Sequence, residues 1–569
     1  MSTEPAVDHS RMLAAVRGLR ETVERTALPL DLPGAREAQQ SRSRLLDQLD
    51  DYVIPRLTSI DAPLLAVIGG STGAGKSTLV NSLVGHEVSQ SGVLRPTTRS
   101  PVLVSHPSDA RWFADQRVLP GLARVTGGSG DPSGDGSVRL VATDELHPGL
   151  ALLDAPDIDS VVAANRDLAA QLLAAADLWI FVTTAARYAD AVPWDLLRQA
   201  AERGTAVAIV LDRVPADVLH EIRPHLAEML DDQGLARAPV FAILESELEG
   251  GFLPAGQTAE LRRWLDDLAG DARARAAVVR QTLEGALASL RPRALALAAA
   301  AAEQTAATEA LMASSGRAYV DAVAGVRAGM QDGTLLRGEV LARWQEFVGT
   351  GELTRQVETV VSRVRDRVTA FFRGEPPPAE KLGEALQSGA ALLVANHAAL
   401  AATAATRAWR ALPGGEQLLA LHPGLARPSR DLEAGVERLV RDWQGDILDM
   451  VRDEGKDRRT TARVMAYGVN GMGVVLMLVA FSATAGLALI EVGIAGGTAV
   501  LGQKVLEAVF GDQAVRELAQ AARERLLERV ETVYAEELER FDEAVRTLSV
   551  LADQSEALTV AVRRLGEAG

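Results

Sequence analysis

The chain has no cysteine in 569 residues, so disulfides and thiolate-held metals are excluded. Aromatic residues make up only 4% of it, and lysine occurs four times. Its eight histidines are scattered without the spacing of a metal-ligand set. An excess of positive charge is also missing. The formal net charge is −17, which argues against a nucleic-acid partner, because neutralising phosphates takes a basic surface. The first eight residues are polar and acidic, without the apolar run of a secretory signal, so the expected compartment is the cytoplasm.

What is present is a helix-favouring composition rich in Ala, Leu, Val, Arg and Glu, 47% hydrophobic and 24% charged, in a chain long enough for two or more domains. Residues 9–56 carry two helical faces, Met12, Val16, Leu19 and Val23, then Leu45, Leu46, Leu49 and Val53, separated by Pro29, Pro33 and Gly34. Between 64 and 245, apolar runs alternate with helical patterns. The runs are Leu64–Ile68, Pro101–Val104, Leu150–Leu153, Leu178–Thr183, Ala206–Leu211 and Val240–Leu244. Near-continuous apolar strands between helices predict a parallel sheet covered on both faces. The stretch Gly127–Ser137 reads as a surface loop. From about 257 the strand signal ends, and helices are expected over 257–312, 315–349, 352–373, 379–412 and 429–455.

Gly70-Ser71-Thr72-Gly73-Ala74-Gly75-Lys76-Ser77 matches the eight-residue phosphate loop, between an apolar strand and the helical Leu79–Leu83. Glycines let backbone N–H groups turn in around the phosphates of a purine nucleoside triphosphate, and the following helix adds its dipole. In that reading Lys76 reaches the β- and γ-phosphates, the Ser77 hydroxyl ligates magnesium, and amides through Thr78 line the cradle. Asp154, ending the strand Leu152–Asp154, suits the magnesium shell. Between them, Arg95-Pro96-Thr97-Thr98-Arg99 offers a switch threonine that meets the metal and orients water, with Thr98 preferred and Thr97 in reserve. Arg95 and Arg99 can each approach the phosphates.

Ala66 to Leu83, Pro96-Thr97-Thr98 and Asp154-Ala155-Pro156-Asp157 together resemble the bacterial dynamin-like GTPases, with similarity running over nearly the whole chain. The resemblance implies an α/β P-loop GTPase domain, a helical stalk and a membrane-inserting tip. It also implies Mg2+ and GTP as ligands, GTP hydrolysis, membrane binding and self-assembly as a homo-oligomer or with a paired dynamin-like protein. Three positions depart from the family. Asp157 stands where the family has glycine, its N–H free to meet the γ-phosphate but its carboxylate repelling it. The guanine-reading Asn-Lys-x-Asp is here Asp212-Arg213-Val214-Pro215, which keeps an aliphatic stem for ring stacking and loses the base-binding carboxylate, with Asp217 a nearby substitute. Thr72-Gly73 replaces the family's Gln-Ser.

Residues 464–490 are 27 consecutive positions without a charge, and 492–503 follow after Glu491. Twenty-seven helical residues span about 40 Å, more than a bilayer's hydrocarbon core. A single crossing near 464–488, a hairpin of 464–481 and 487–503, and two buried helices of a soluble bundle all suit this composition. The hairpin returns Lys504 to the side of Arg458, Arg459 and Arg463. Beyond it, Val515, Leu518, Ala522, Leu526, Val530, Tyr534, Leu538, Phe541 and Val545 form one helical seam. The expected organisation is N-terminal helices at 1–60, the P-loop domain at 61–256, a stalk at 257–460, the membrane hairpin at 461–504 and a return helix at 505–569. This places the protein on the cytoplasmic side of the cell membrane with a lipid bilayer as partner. Two other classes fit the same motifs: a soluble ribosome-assembly-type GTPase, and a nucleotide-gated scaffold with little turnover.

Overall fold

Leu64–Gly70 forms β1, and all seven of its residues are buried. The computed structural model describes residues 9–90, 101–115, 118–119, 121–126, 136–159, 163–331, 340, 342–343, 378–454, 469–482, 506–507 and 510–569. Thr97, Thr98 and most of 464–503 lie outside the described residues. The chain divides into two compact units, Met1–Leu28 with Gly34–Ala302 and Leu551–Gly569, and Pro29–Pro33 with Glu303–Val550.

In the first unit β1 joins β2 (Val102–Ser105), β3 (Ala123–Thr126), β4 (Ser137–Ala142), β5 (Leu150–Asp154), β6 (Leu178–Thr184), β7 (Ala206–Val214) and β8 (Val240–Leu244). The sheet order is β3-β4-β2-β5-β1-β6-β7-β8. Every neighbouring pair is parallel except β2 with β5, which runs antiparallel. The six apolar runs are six of these strands. Strands β3 and β4 went unread, and Ser137, expected in a surface loop, opens β4. These two are partly exposed and carry Arg124 and Arg139, so no continuous apolar run marks them.

Alternation along the strands feeds two cores. Leu64, Ala66 and Ile68 of β1, with Leu152 and Val210, pack with Leu79 and Leu83 of α4 (Lys76–Val84) and Leu261 and Leu265 of α9 (Ala255–Gly270). Leu65 and Val67, with Trp179 and Phe181, pack with Phe113 of α5 (Ala110–Phe113), Leu172 of α6 (Ala163–Ala174), Leu197 of α7 (Ala191–Glu202) and Leu226 of α8 (Leu219–Asp232). A third core joins α1 (His9–Arg25), α2 (Ala35–Gln48), the first part of α10 (Ala272–Gln331) and the helix Gln554–Ala568. Met12, Val16, Leu19 and Val23 lie in it as their spacing predicts, beside Leu290, Leu558 and Val562.

Asp177, just before β6, ties these layers together. Its carboxylate pairs with Arg56 of α3 (Ile54–Thr58) and accepts from Tyr52 Oη at 3.2 Å and the Leu65 N–H at 2.8 Å. Its carbonyl accepts from Thr282 Oγ1 at 2.8 Å, and the Ala206 N–H donates to that same hydroxyl at 3.0 Å.

The described residues of the second unit are largely helical. The sequence breaks the helical pattern after 312, whereas α10 runs unbroken through that point. The Ser314 and Ser315 hydroxyls donate back to the Leu311 carbonyl at 2.8 and 3.2 Å, so the serines satisfy themselves within the helix. Three buried ring donors cross between helices. Trp409 Nε1 reaches Leu311 O at 3.0 Å, Trp443 Nε1 reaches Ala522 O at 2.8 Å, and Tyr534 Oη reaches Val394 O at 2.7 Å. The seam expected over 515–545 is buried on the helix Asp512–Arg546, except that Leu538 is half-buried and Glu537 is buried instead.

Of the uncharged run, the helix Val469–Ser482 is described. Met472 and Val474 to Phe481 are buried in the unit, with Phe481 against Trp443 at 5.4 Å and Gly473 against Leu448. One helix among the described residues, Glu380–Arg410, is long and apolar enough to cross a membrane. The sequence reading placed no membrane segment there. The residues at Leu382, Leu386, Ala390, Val394, Ala398 and Ala405 are buried at helical spacing, the pattern of a core helix.

Candidate functional site

The phosphate-loop motif occupies the turn from β1 into α4. Gly70 has φ 157°, and a Cβ there would strike the Val182 carbonyl oxygen on β6. Gly75, the residue before α4, has φ 90°, and a Cβ there would strike Asp212 Oδ2. Both positions therefore require glycine on conformation and on space. The Ala74 N–H donates to Ser71 O at 3.1 Å and Leu79 N–H to Gly75 O at 2.8 Å, which closes the loop onto the helix with Thr78 in the first turn. Lys76 folds back over it. Its Nζ donates to the carbonyls of Gly70 at 3.0 Å and Ser71 at 3.1 Å and pairs with Asp157.

Asp154 is the last residue of β5 and sits beside Ile68 of β1, so the parallel register brings it to the loop. Its Oδ2 accepts from Ser77 Oγ at 2.7 Å and Ser89 Oγ at 2.5 Å, whereas its Oδ1 is buried without a partner. Complete burial pushes its pKa up, and the two hydroxyls, Lys76 and its charge only partly offset this. Ser71 Oγ and Thr183 Oγ1 are likewise buried and unpartnered. Three of the five such side-chain atoms among the described residues thus gather at the C-terminal edge of β1, β5 and β6. Ligands of open α/β sheets bind outside that edge. The chain carries a P-loop α/β domain.

No protein-family model and no curated protein matches this sequence. Among solved structures, the chain is similar to a member of an oligomerised bacterial dynamin pair described as sensing and tethering membranes. That likeness covers 99% of this chain and 96% of the other, at 10% identity and TM-score 0.44. It is also similar to Aquifex aeolicus Era bound to GDP·AlF4−, over 36% of this chain and 56% of that one, at 18% identity and TM-score 0.24. A third likeness is to the chloroplast translocon components atToc33 and psToc159, for whose GTPase activity dimerization is important, over 42% of this chain and 94% of that one, at 16% identity and TM-score 0.24. At such scores the chemistry must be read from the P-loop domain's own residues.

On the other side of the loop, Asp212 and Arg213 fall at an irregularity in the pairing of β7 with β8, between Leu211 and Val214. Arg213 takes φ 51°, unusual for a side-chain-bearing residue, and its guanidinium donates to the Gly73 carbonyl. Asp212 is buried beside Gly75. Burial pushes its pKa up to about 6, offset in part by the Arg213 N–H that donates to its Oδ1 at 2.9 Å. Asp217, expected from the sequence as a nearby substitute, is exposed in the turn after β7.

Four residues that no motif marks complete the surroundings. Asp159 Oδ1 accepts from the Thr72 N–H at 2.5 Å and the Thr72 hydroxyl at 2.6 Å. Arg187 donates to Asp159 Oδ2 at 2.7 Å, to the Thr72 carbonyl at 3.0 Å and to Asp190 at 2.9 Å. Burial acts to raise the Asp159 pKa, but the bonds from Thr72 and Arg187 win and hold it below the usual carboxylate range. Ser89 is positioned by Asn81, whose Oδ1 accepts from the Val88 and Ser89 N–H groups at 2.9 Å each. Proximity to the Asp154–Asp157 run was the only sequence signal for Asp159. Arg187, Asp190 and Ser89 had none.

Proposed function

We propose that this chain binds and hydrolyses magnesium–GTP at its P-loop and couples the nucleotide state to a lipid bilayer and to self-assembly, in the manner of dynamin-like GTPases. The observation that carries the reading is the convergence of Lys76, Ser77 and Asp154 on one sheet edge, with Asp154 Oδ1 and Ser71 Oγ left unpartnered. The donor set fits a hard divalent cation: the Ser77 hydroxyl and the Asp154 carboxylate would hold Mg2+, which prefers oxygen ligands. Bound there, the ion would neutralise charge on the β- and γ-phosphates. Lys76 and the amides of Gly73 to Thr78 would bind those phosphates, Thr98 would position the attacking water, and Arg213 would stack on the base with Asp212 beside it. The guanine preference and the inner-membrane location come from the family resemblance.

The Lys76–Asp157 pair favours a second reading, a nucleotide-gated scaffold with little turnover. One experiment separates them. Binding and turnover of GTP and ATP are measured with Mg2+, with and without liposomes, for the full chain and for Lys76→Ala. The expected outcome is binding weakened by at least ~100-fold in the variant and turnover stimulated by liposomes in the parent. Equal affinities would remove the site assignment. Tight binding with background phosphate release on liposomes would select the scaffold. Liposome pelleting of the full chain checks the bilayer partner directly.

A further inference from the structure

Lys76 has three ammonium protons and three partners within its own chain: Gly70 O at 3.0 Å, Ser71 O at 3.1 Å and Asp157 Oδ1. Its donor capacity is therefore filled before any phosphate arrives. The two charged side chains are only 4% and 14% exposed, so solvent and salt screen the pair little. Two of the three partners are loop carbonyls. The third is a carboxylate, the one anion in the set.

We infer that Asp157 is a specificity-determining residue whose carboxylate occupies, on Lys76, the place of the terminal phosphate of a nucleoside triphosphate. This rests on the P-loop reading above. A triphosphate binds by displacing Asp157, and the displaced carboxylate then lies beside the incoming charge. The penalty falls harder on a triphosphate than on a diphosphate, because the terminal phosphate both takes over the Lys76 hydrogen bond and meets the carboxylate. Asp159 keeps the competitor close. Two residues further on, it is fixed to Thr72 by two hydrogen bonds and to Arg187 by an ion pair. Displacement thus needs only a local swing of the Asp157 side chain, with the following segment still anchored to the loop.

The test uses the full chain with Mg2+, titrated with GDP and with a non-hydrolysable GTP analogue, as wild type, Asp157→Asn and Asp157→Gly. Asn keeps the shape and removes the charge. Affinity for the analogue should rise about tenfold in both variants, and that for GDP less than about threefold. Unchanged or weaker analogue binding would overturn the inference, as would an equal gain for both nucleotides. Loss of a cooperative melt in both nucleotide-free variants would assign Asp157 to the fold instead. If neither wild type nor variants bound any nucleotide, the P-loop reading would fall and this inference with it.

Discussion

Asp212→Asn is expected to stabilise the nucleotide-free protein, and to do so only above weakly acidic pH. The carboxyl is buried, and its pKa stands at about 6 against an ordinary 3.8. Because the folded form holds the proton more tightly, stability is present at acid pH and is lost as pH rises from the unfolded carboxylate range through about 6. Two pKa units correspond to about 3 kcal/mol of burial cost at neutral pH. The amide removes that cost and keeps an oxygen to accept the Arg213 N–H, now bonded at 2.9 Å. For a unit of this size the gain is about 4–5 °C in unfolding temperature. Calorimetry of both proteins at pH 4 and pH 7.5 reads it. The variant should match the parent at pH 4 and exceed it at pH 7.5, flattening the profile. A gain of equal size at both pH values, or none at pH 7.5, would refute the argument that desolvation dominates at this site.

Arg56→Ala should cost about 3–5 kcal/mol, because it strands the Asp177 carboxylate in a site where both partners are nearly inaccessible. Denaturant unfolding measures it, and a loss under 1 kcal/mol would mean that the pair contributes little. Asp159→Asn keeps an oxygen to accept from Thr72 but removes the charge that strengthens those bonds and pairs with Arg187, so nucleotide affinity should fall about tenfold. Unchanged affinity by calorimetric titration would show that the loop is rigid without them.

How far the architecture was legible depended on burial. Strands β1 and β5 to β8 announce themselves because covering on both faces demands apolar residues in unbroken runs. The edge strand β3 and its neighbour β4 are partly exposed and escape that demand, and the antiparallel direction of β2 leaves no mark in composition. The convergence of the glycines, Lys76, Ser77 and Asp154 was readable because the phosphate-loop pattern prescribes their types and spacing. Asp159 and Arg187 were not, since an ion pair that braces a loop can be drawn from any two positions the fold brings together. The uncharged run shows the limit of composition. Apolarity from 472 to 481 equally serves a core, and there Phe481 and Met472 are buried among helices.

The third core of the first unit also has a consequence in time. The Ala27 N–H donates to Gln554 Oε1 at 3.1 Å across 527 residues, and Met12, Val16 and Leu19 share a cluster with Leu558, Val562 and Leu565. At about 5–20 residues per second, the helix that covers α1 leaves the ribosome roughly half a minute to two minutes after α1 does. Throughout that interval α1 presents an apolar face without its final partner. The P-loop domain can thus assemble its sheet early, but the packing of α1 is completed only once residues 554–568 have been made.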